Sequence, residues 1–131
     1  MLKNFLNKNQ DNFFFVFRII IGLLFLLHGW MKVPGIMNGS IGMGSLFFYA
    51  GIIEVIGGIM IIIGLFTQEV AFIGAIEMLV AFFTVHAKSG LNPLVNQGEL
   101  AVLFFAAFLI LLTYGAQKWC LEQKLLNKEL F

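Results

Sequence analysis

The chain has little charge, one cysteine and no mark of nucleic-acid binding. Charged residues make up 11% of its 131 positions, against about 25% in a soluble globular domain. Hydrophobic residues make up 60%, leaving too little polar sequence for a separate soluble unit, so residues 1–131 read as one membrane domain. A net charge of +1 with no basic stripe excludes nucleic acid as a partner. Cys120 stands alone. No disulfide can form within the chain, and without a Cys-x-x-Cys pair a dithiol oxidoreductase using its own cysteines is excluded. No metal-ligand spacing is present, so no metal is assigned. The N-terminus does not read as a cleavable signal, because Arg18 interrupts its apolar run and no small-x-small site follows. The two prolines, Pro34 and Pro93, both fall in breaks between apolar runs.

What is present is four apolar runs, at about residues 13–31, 45–66, 70–87 and 99–115. Runs of ~18–22 residues rise ~27–33 Å as helix, the thickness of a bilayer core. The expected fold is therefore all-α, an integral membrane four-helix bundle. The first and third connections are the long ones and share a side. Lys3, Lys8, Lys118, Lys124 and Lys128 flank the termini, with Arg18 just inside, against Lys32 and Lys88 on the other side. The positive-inside rule then puts both termini in the cytoplasm. Residues 116–131 mix Trp119 and leucines with Lys and Glu, the pattern of an interfacial helix on that surface.

Small residues mark the packing faces. Gly44, Gly51 and Gly58 recur every seven residues, with Glu54 one turn from the last two. Gly74, Glu77, Ala81 and Thr84 repeat the pattern in the third run, and Arg18, Gly22, Phe25, Gly29 and Lys32 form a stripe in the first. Glycine packing alone explains the glycines.

The ionisable residues inside these runs need more explanation. A charge at the bilayer centre costs roughly 2.5–3.5 kcal/mol on insertion scales, so such residues are functional candidates. Depth sorts them into two layers. Arg18, Glu77 and Glu54 form a middle layer, expected to be a buried charge network in which Arg18 pairs with Glu77 or Glu54; a register-fixing role is as good a reading as a functional one. His28, Lys32, His86 and Glu99 form an outer mouth with Glu54 as its floor. His28 and Lys32 share an i,i+4 face, and Trp30 lies between them.

Several chemistries fit these groups. Haem needs two histidines at equal depth, and His28 and His86 meet only that minimum, so haem is disfavoured. A proton or small-ion path through Glu77, Glu54 and His28 would make the chain a small transporter or channel. Four short helices give little room for alternating access in one copy, which leaves a homo-oligomer open. A quinone pocket needs an apolar cleft with a few hydrogen-bonding groups, and His28, Trp30 and some of the sixteen phenylalanines would supply one.

Read in order, Arg18-x-x-x-Gly22, His28-Gly29-x-x-Lys32, Glu54-x-x-Gly57-Gly58, Gly64-Leu65-Phe66-Thr67, Met78-Leu79-x-Ala81, His86, Gly98-Glu99-Leu100 and Gly115 with Trp119 resemble the DoxX family of small four-helix bacterial membrane proteins. The resemblance runs from about Phe17 to Trp119. It departs after the fourth run, where Gly115 through Glu122 keeps the first glycine and the aromatic of a Gly-Pro-Gly, aromatic, Ser-x-Asp ending. The resemblance implies a multi-pass inner (plasma) membrane protein tied to a redox complex, like the small membrane subunit of thiosulfate:quinone oxidoreductase. It carries over Arg18, His28, Lys32, Glu54, His86 and Glu99; Glu77 comes from depth alone. The expectation is a quinone-linked subunit of an oxidoreductase complex. His28 and Glu54 would exchange protons, and Lys32, His86, Glu99 and Trp30 would hold substrate. No cofactor is expected in the chain itself; a redox-protein partner would supply the electron carrier. The rival readings are the transporter or channel and a non-catalytic assembly or scaffold subunit.

Overall fold

The computed structural model describes residues 1–126; Lys128 and Leu130, used in the orientation and tail arguments, lie outside them. Every regular element among the described residues is helical. The elements are α1 (Leu2–Trp30), α2 (Val33–Met37), α3 (Leu46–Ile63), α4 (Thr67–Ala81), α5 (Glu99–Tyr114) and α6 (Leu121–Leu126). The segments Leu2–Met37, Leu46–Ile63 and Thr67–Ser89 are long and apolar enough to cross a membrane, and α5 is a shorter apolar helix. Arg18 of α1 contacts the segment after α5, so the first half of α1 and that segment lie at one end of the bundle.

Close backbone approach builds the α1–α3 pair. A methyl group on Gly58 would lie 2.5 Å from the Leu26 nitrogen, and one on Gly29 would lie 2.6 Å from the Val55 nitrogen. In lipid, where apolar side chains gain little by leaving solvent, such contact is what holds helices together. The expected stripes are in place: Arg18, Gly22, Phe25 and Gly29 are buried on α1, and Gly51, Glu54, Gly57 and Gly58 on α3. Gly44 is the exception, since it precedes α3 with open space around it.

A second pair forms between α4 and α5, where Gly74 receives the Phe108 ring. Phe25, Phe104 and Phe108 fill the centre between the two pairs, with Phe25 and Phe108 edge to face at 4.9 Å between centroids. Edge-to-face rings fill a wide seam that small residues could not.

Three boundaries differ from expectation. Helix α1 begins at Leu2, since the polar run Lys3–Asn12 is helix-compatible yet carries no apolar period. Helix α4 ends at Ala81, followed by a π-helical turn Phe82–His86 and a 3₁₀ turn Ala87–Ser89. Thr84 Oγ1 donates to the Val80 carbonyl at 2.6 Å, a side-chain bond that competes with the helical ladder. The turn rotates the expected stripe, leaving Thr84 exposed. The expected tail helix starts only at Leu121, after an irregular 115–120 segment.

Candidate functional site

The two ends of the bundle each hold a lysine or arginine drawn inward. At the end carrying the 115–120 segment, Arg18 is fully buried. Its partners correct the expected pairing with Glu77 or Glu54. The guanidinium Nη1 donates to the Ala116 carbonyl and, at 3.4 Å, to that of Lys118; Nη2 donates to the Trp119 carbonyl at 2.8 Å. The segment is shaped for this. Gly115, Gln117 and Trp119 take positive φ at every second residue, and the carbonyls of 116, 118 and 119 turn to one side. Phe15 lies 5.3 Å beneath the guanidinium carbon, a cation–π contact. Gly64, in the left-handed region at φ 69°, closes the cradle, and a methyl group there would meet Cys120 and Arg18. Cys120 is buried, with its thiol donating to the Gln117 carbonyl. Glu122 is buried as well, and its backbone N–H bonds the Gly64 carbonyl at 3.2 Å. It is therefore part of this closure and not a free surface residue.

At the opposite end, Lys32 follows α1 and turns back along the bundle. Its ammonium donates to Glu54 Oε2 on α3 and, at 3.4 Å, to the His28 carbonyl. Gly51 makes room for the lysine stem, since a methyl group there would lie 3.2 Å from Lys32 Cβ. Glu54 is buried, with 7% of its side chain exposed. His28 stacks edge-on against Phe104 of α5 at 5.8 Å. His28 and Lys32 lie within electrostatic reach of Glu54, and Glu54 and Lys32 within reach of Glu77 of α4. Both carboxylate oxygens of Glu77 are out of contact with solvent and have no hydrogen-bond partner.

The remaining candidates are placed differently. His86, at the end of the π turn, faces the Asn96 carbonyl through Nδ1 at 3.2 Å, so Nδ1 carries the hydrogen. Glu99 is exposed on the first turn of α5, and Trp30 is 62% exposed. The structure thus brings His28, Lys32, Glu54 and Glu77 together, ties His86 to the following loop, and leaves Trp30 and Glu99 on the surface.

Asn96 was missed from sequence. It is buried, donates to the Gly90 carbonyl at 2.8 Å and accepts from the Gly98 N–H at 2.7 Å, which pins the loop before α5. Its place between Pro93 and Gly98 is the only sequence hint. Three of its loop neighbours, Leu91, Leu94 and Val95, are exposed, so apolar patterning could not mark it. A cavity of about 340 Å³ lies at the Arg18 end, lined by residues including Asp11, Phe13, Phe14, Phe17 and Tyr114.

The glycine-spaced helix pair, the inward Lys32–Glu54 pair and the Arg18 cradle form one pattern, and a family model for DoxX matches residues 13–87. The chain belongs to the DoxX family. Its DoxX relatives include an uncharacterized Haemophilus influenzae protein that is 37% identical over 95% of this chain and 99% of its own length. A Bacillus subtilis protein named "Putative oxidoreductase CatD" is 29% identical over 89% of this chain and 90% of its own. A second uncharacterized H. influenzae protein is 30% identical over 92% of this chain and 66% of its own. No solved structure matches significantly. With its apolar helices, this DoxX chain is a membrane protein.

Proposed function

We propose that this protein is the quinone-linked membrane subunit of a bacterial redox complex, working at the inner membrane with both termini in the cytoplasm. The observation that carries the reading is the Lys32–Glu54 pair, its carboxylate buried, with His28 beside it and Phe104 as an aromatic wall. Quinone reduction and oxidation move protons with electrons, so a quinone site needs titratable groups held at an apolar, aromatic surface. His28 and Glu54 are those groups, and Lys32 supplies positive charge where a reduced ring oxygen would be negative. The oxidoreductase name of the B. subtilis relative supports redox work. A partner protein supplies the electron carrier.

Protein purified in mild detergent is extracted and the extract searched for quinones by mass spectrometry. The expected result is a quinone near one per chain in wild type, reduced about tenfold in Glu54→Gln, equivalent to about 1.4 kcal/mol of binding. A quinone-free wild type, tested also with quinone added back, overturns the proposal. Ion flux in proteoliposomes without any partner would point to the transporter instead.

A further inference from the structure

Glu77 has no role in that scheme, yet it is the most exceptional polar group in the bundle. Helix α4 turns it inward one turn after Gly74, which packs against Phe108, and next to the buried Met78. Both its oxygens are buried without a hydrogen-bond partner. An ionised carboxylate in that state is costly, and a leucine or methionine of similar size would be cheaper.

The groups around it set its charge state. Helix α3 presents Glu54, Lys32 approaches from the turn after α1, and His28 of α1 lies near Glu54. Between Glu99 at its start and Tyr114 at its end, α5 has no titratable residue. His86, after α4, is tied to the Asn96 carbonyl. Two carboxyl groups therefore share the single ammonium of Lys32, which is already bonded to Glu54. With Glu54 ionised, Lys32 charged and His28 neutral, the cluster is neutral only if Glu77 keeps its proton. Lys32 has three N–H donors, and its acceptors at hydrogen-bond distance are the Glu54 carboxylate and the His28 carbonyl. A third donor remains for Glu77 once it ionises.

We propose that Glu77 is an exchangeable proton-binding site, a neutral acid at rest that gives up and regains one proton beside the Lys32–Glu54 pair. On release, the O–H bond of the Glu77 carboxylic acid breaks, the proton passes to water or another base at the loop end, and the carboxylate takes the free Lys32 donor. Uptake reverses each step. The site holds one proton per chain, and it stands whether or not the bound ligand is a quinone.

The test is labelling of the full chain with dicyclohexylcarbodiimide, an apolar reagent that adds across a neutral carboxylic acid O–H and leaves an N-acylurea on that side chain. Peptide mass spectrometry locates the label. The expected result is labelling at Glu77 and not at Glu54, falling about tenfold per pH unit once the acid titrates. Glu77→Gln abolishes it, and Lys32→Met, which removes the ammonium that would receive the carboxylate, moves the fall to higher pH. Infrared spectroscopy provides the second readout: a deuterium-sensitive carbonyl band of a neutral carboxylic acid, present in wild type and absent in Glu77→Gln. Lack of that band in folded wild type overturns the proposal. So does labelling that sodium suppresses at constant ionic strength, because the site would then hold a metal cation. Neither readout uses quinone, so a failed labelling test leaves the quinone reading standing, and loss of the quinone reading leaves Glu77 standing.

Discussion

Arg18 and Lys32 are two inward-turned cations at opposite ends of the bundle, and the protein treats them in opposite ways. Arg18 meets backbone carbonyls and an aromatic face. Lys32 meets a carboxylate, with a second carboxyl and a histidine near. A guanidinium stays charged at any working pH, and carbonyls cannot titrate, so neither Arg18 nor the carbonyls it bonds can change state. Every member of the Lys32 cluster can gain or lose a proton. The first arrangement suits a fixed joint, and the second suits chemistry. Charge burial alone therefore does not mark function in a membrane bundle; the nature of the partner does.

The largest effect should come from breaking the fixed joint. Arg18→Ala removes two close charged hydrogen bonds, each worth roughly 1.5–3 kcal/mol, and strands the Ala116 and Trp119 carbonyls, for a loss of about 3–6 kcal/mol. Thermal unfolding in detergent should show a larger fall in Tm for Arg18→Ala than for any single substitution in the Lys32 cluster. Arg18→Lys should recover only part of it, because one ammonium cannot hold diverging carbonyls as a planar fork does. An Arg18→Ala protein as stable as wild type would mean the cradle is not a joint.

The second cluster should respond less in stability and more in ligand binding. Lys32→Met leaves Glu54 buried and unpaired, at a cost of about 2–4 kcal/mol, softened because Glu54 can take up a proton. The double variant Lys32→Met with Glu54→Gln removes both charges and should return to within about 1 kcal/mol of wild type, so the two losses are not additive. Bound quinone should stay at or below the Glu54→Gln level in the double variant. A double variant less stable than either single one would show that the pair is structural, like the Arg18 cradle.

The same contrast explains what the sequence could disclose. The faces of α1 and α3 were legible, because small residues at helical spacing leave a periodic trace and Glu54 lies on it. Depth along the helices, a separate signal, assigns Lys32 and Glu54 to one site. Arg18 was legible as inward but not as to partner. Its ligands are main-chain carbonyls at Ala116, Lys118 and Trp119, and a carbonyl has no letter of its own. The carboxylates that depth sets beside Arg18, Glu54 and Glu77, are not its partners. The π turn after Ala81 has no letter of its own either: Thr84 bonds the Val80 carbonyl there, yet Thr113 makes the same bond inside regular α5. Glu122 read as a solvent-facing tail residue because the closure onto Gly64 is also made by the main chain.

That main-chain character yields the smallest expected effect. Lys118 contributes its carbonyl to the cradle, while its ammonium pairs with Asp11 of α1 at 2.5 Å. The two side chains are 63% and 40% exposed, so solvent and salt screen the pair, and exposed pairs contribute roughly 0–1 kcal/mol. Asp11→Asn should therefore cost no more than about 0.5 kcal/mol, with any difference in Tm vanishing in high salt. Lys118→Ala should behave alike, because it removes the ammonium and keeps the carbonyl that Arg18 uses. If Lys118→Ala instead approached Arg18→Ala in its effect, the side chain and not the backbone would be holding the 115–120 segment, and the division between a fixed joint and a titratable cluster would fail at its fixed end.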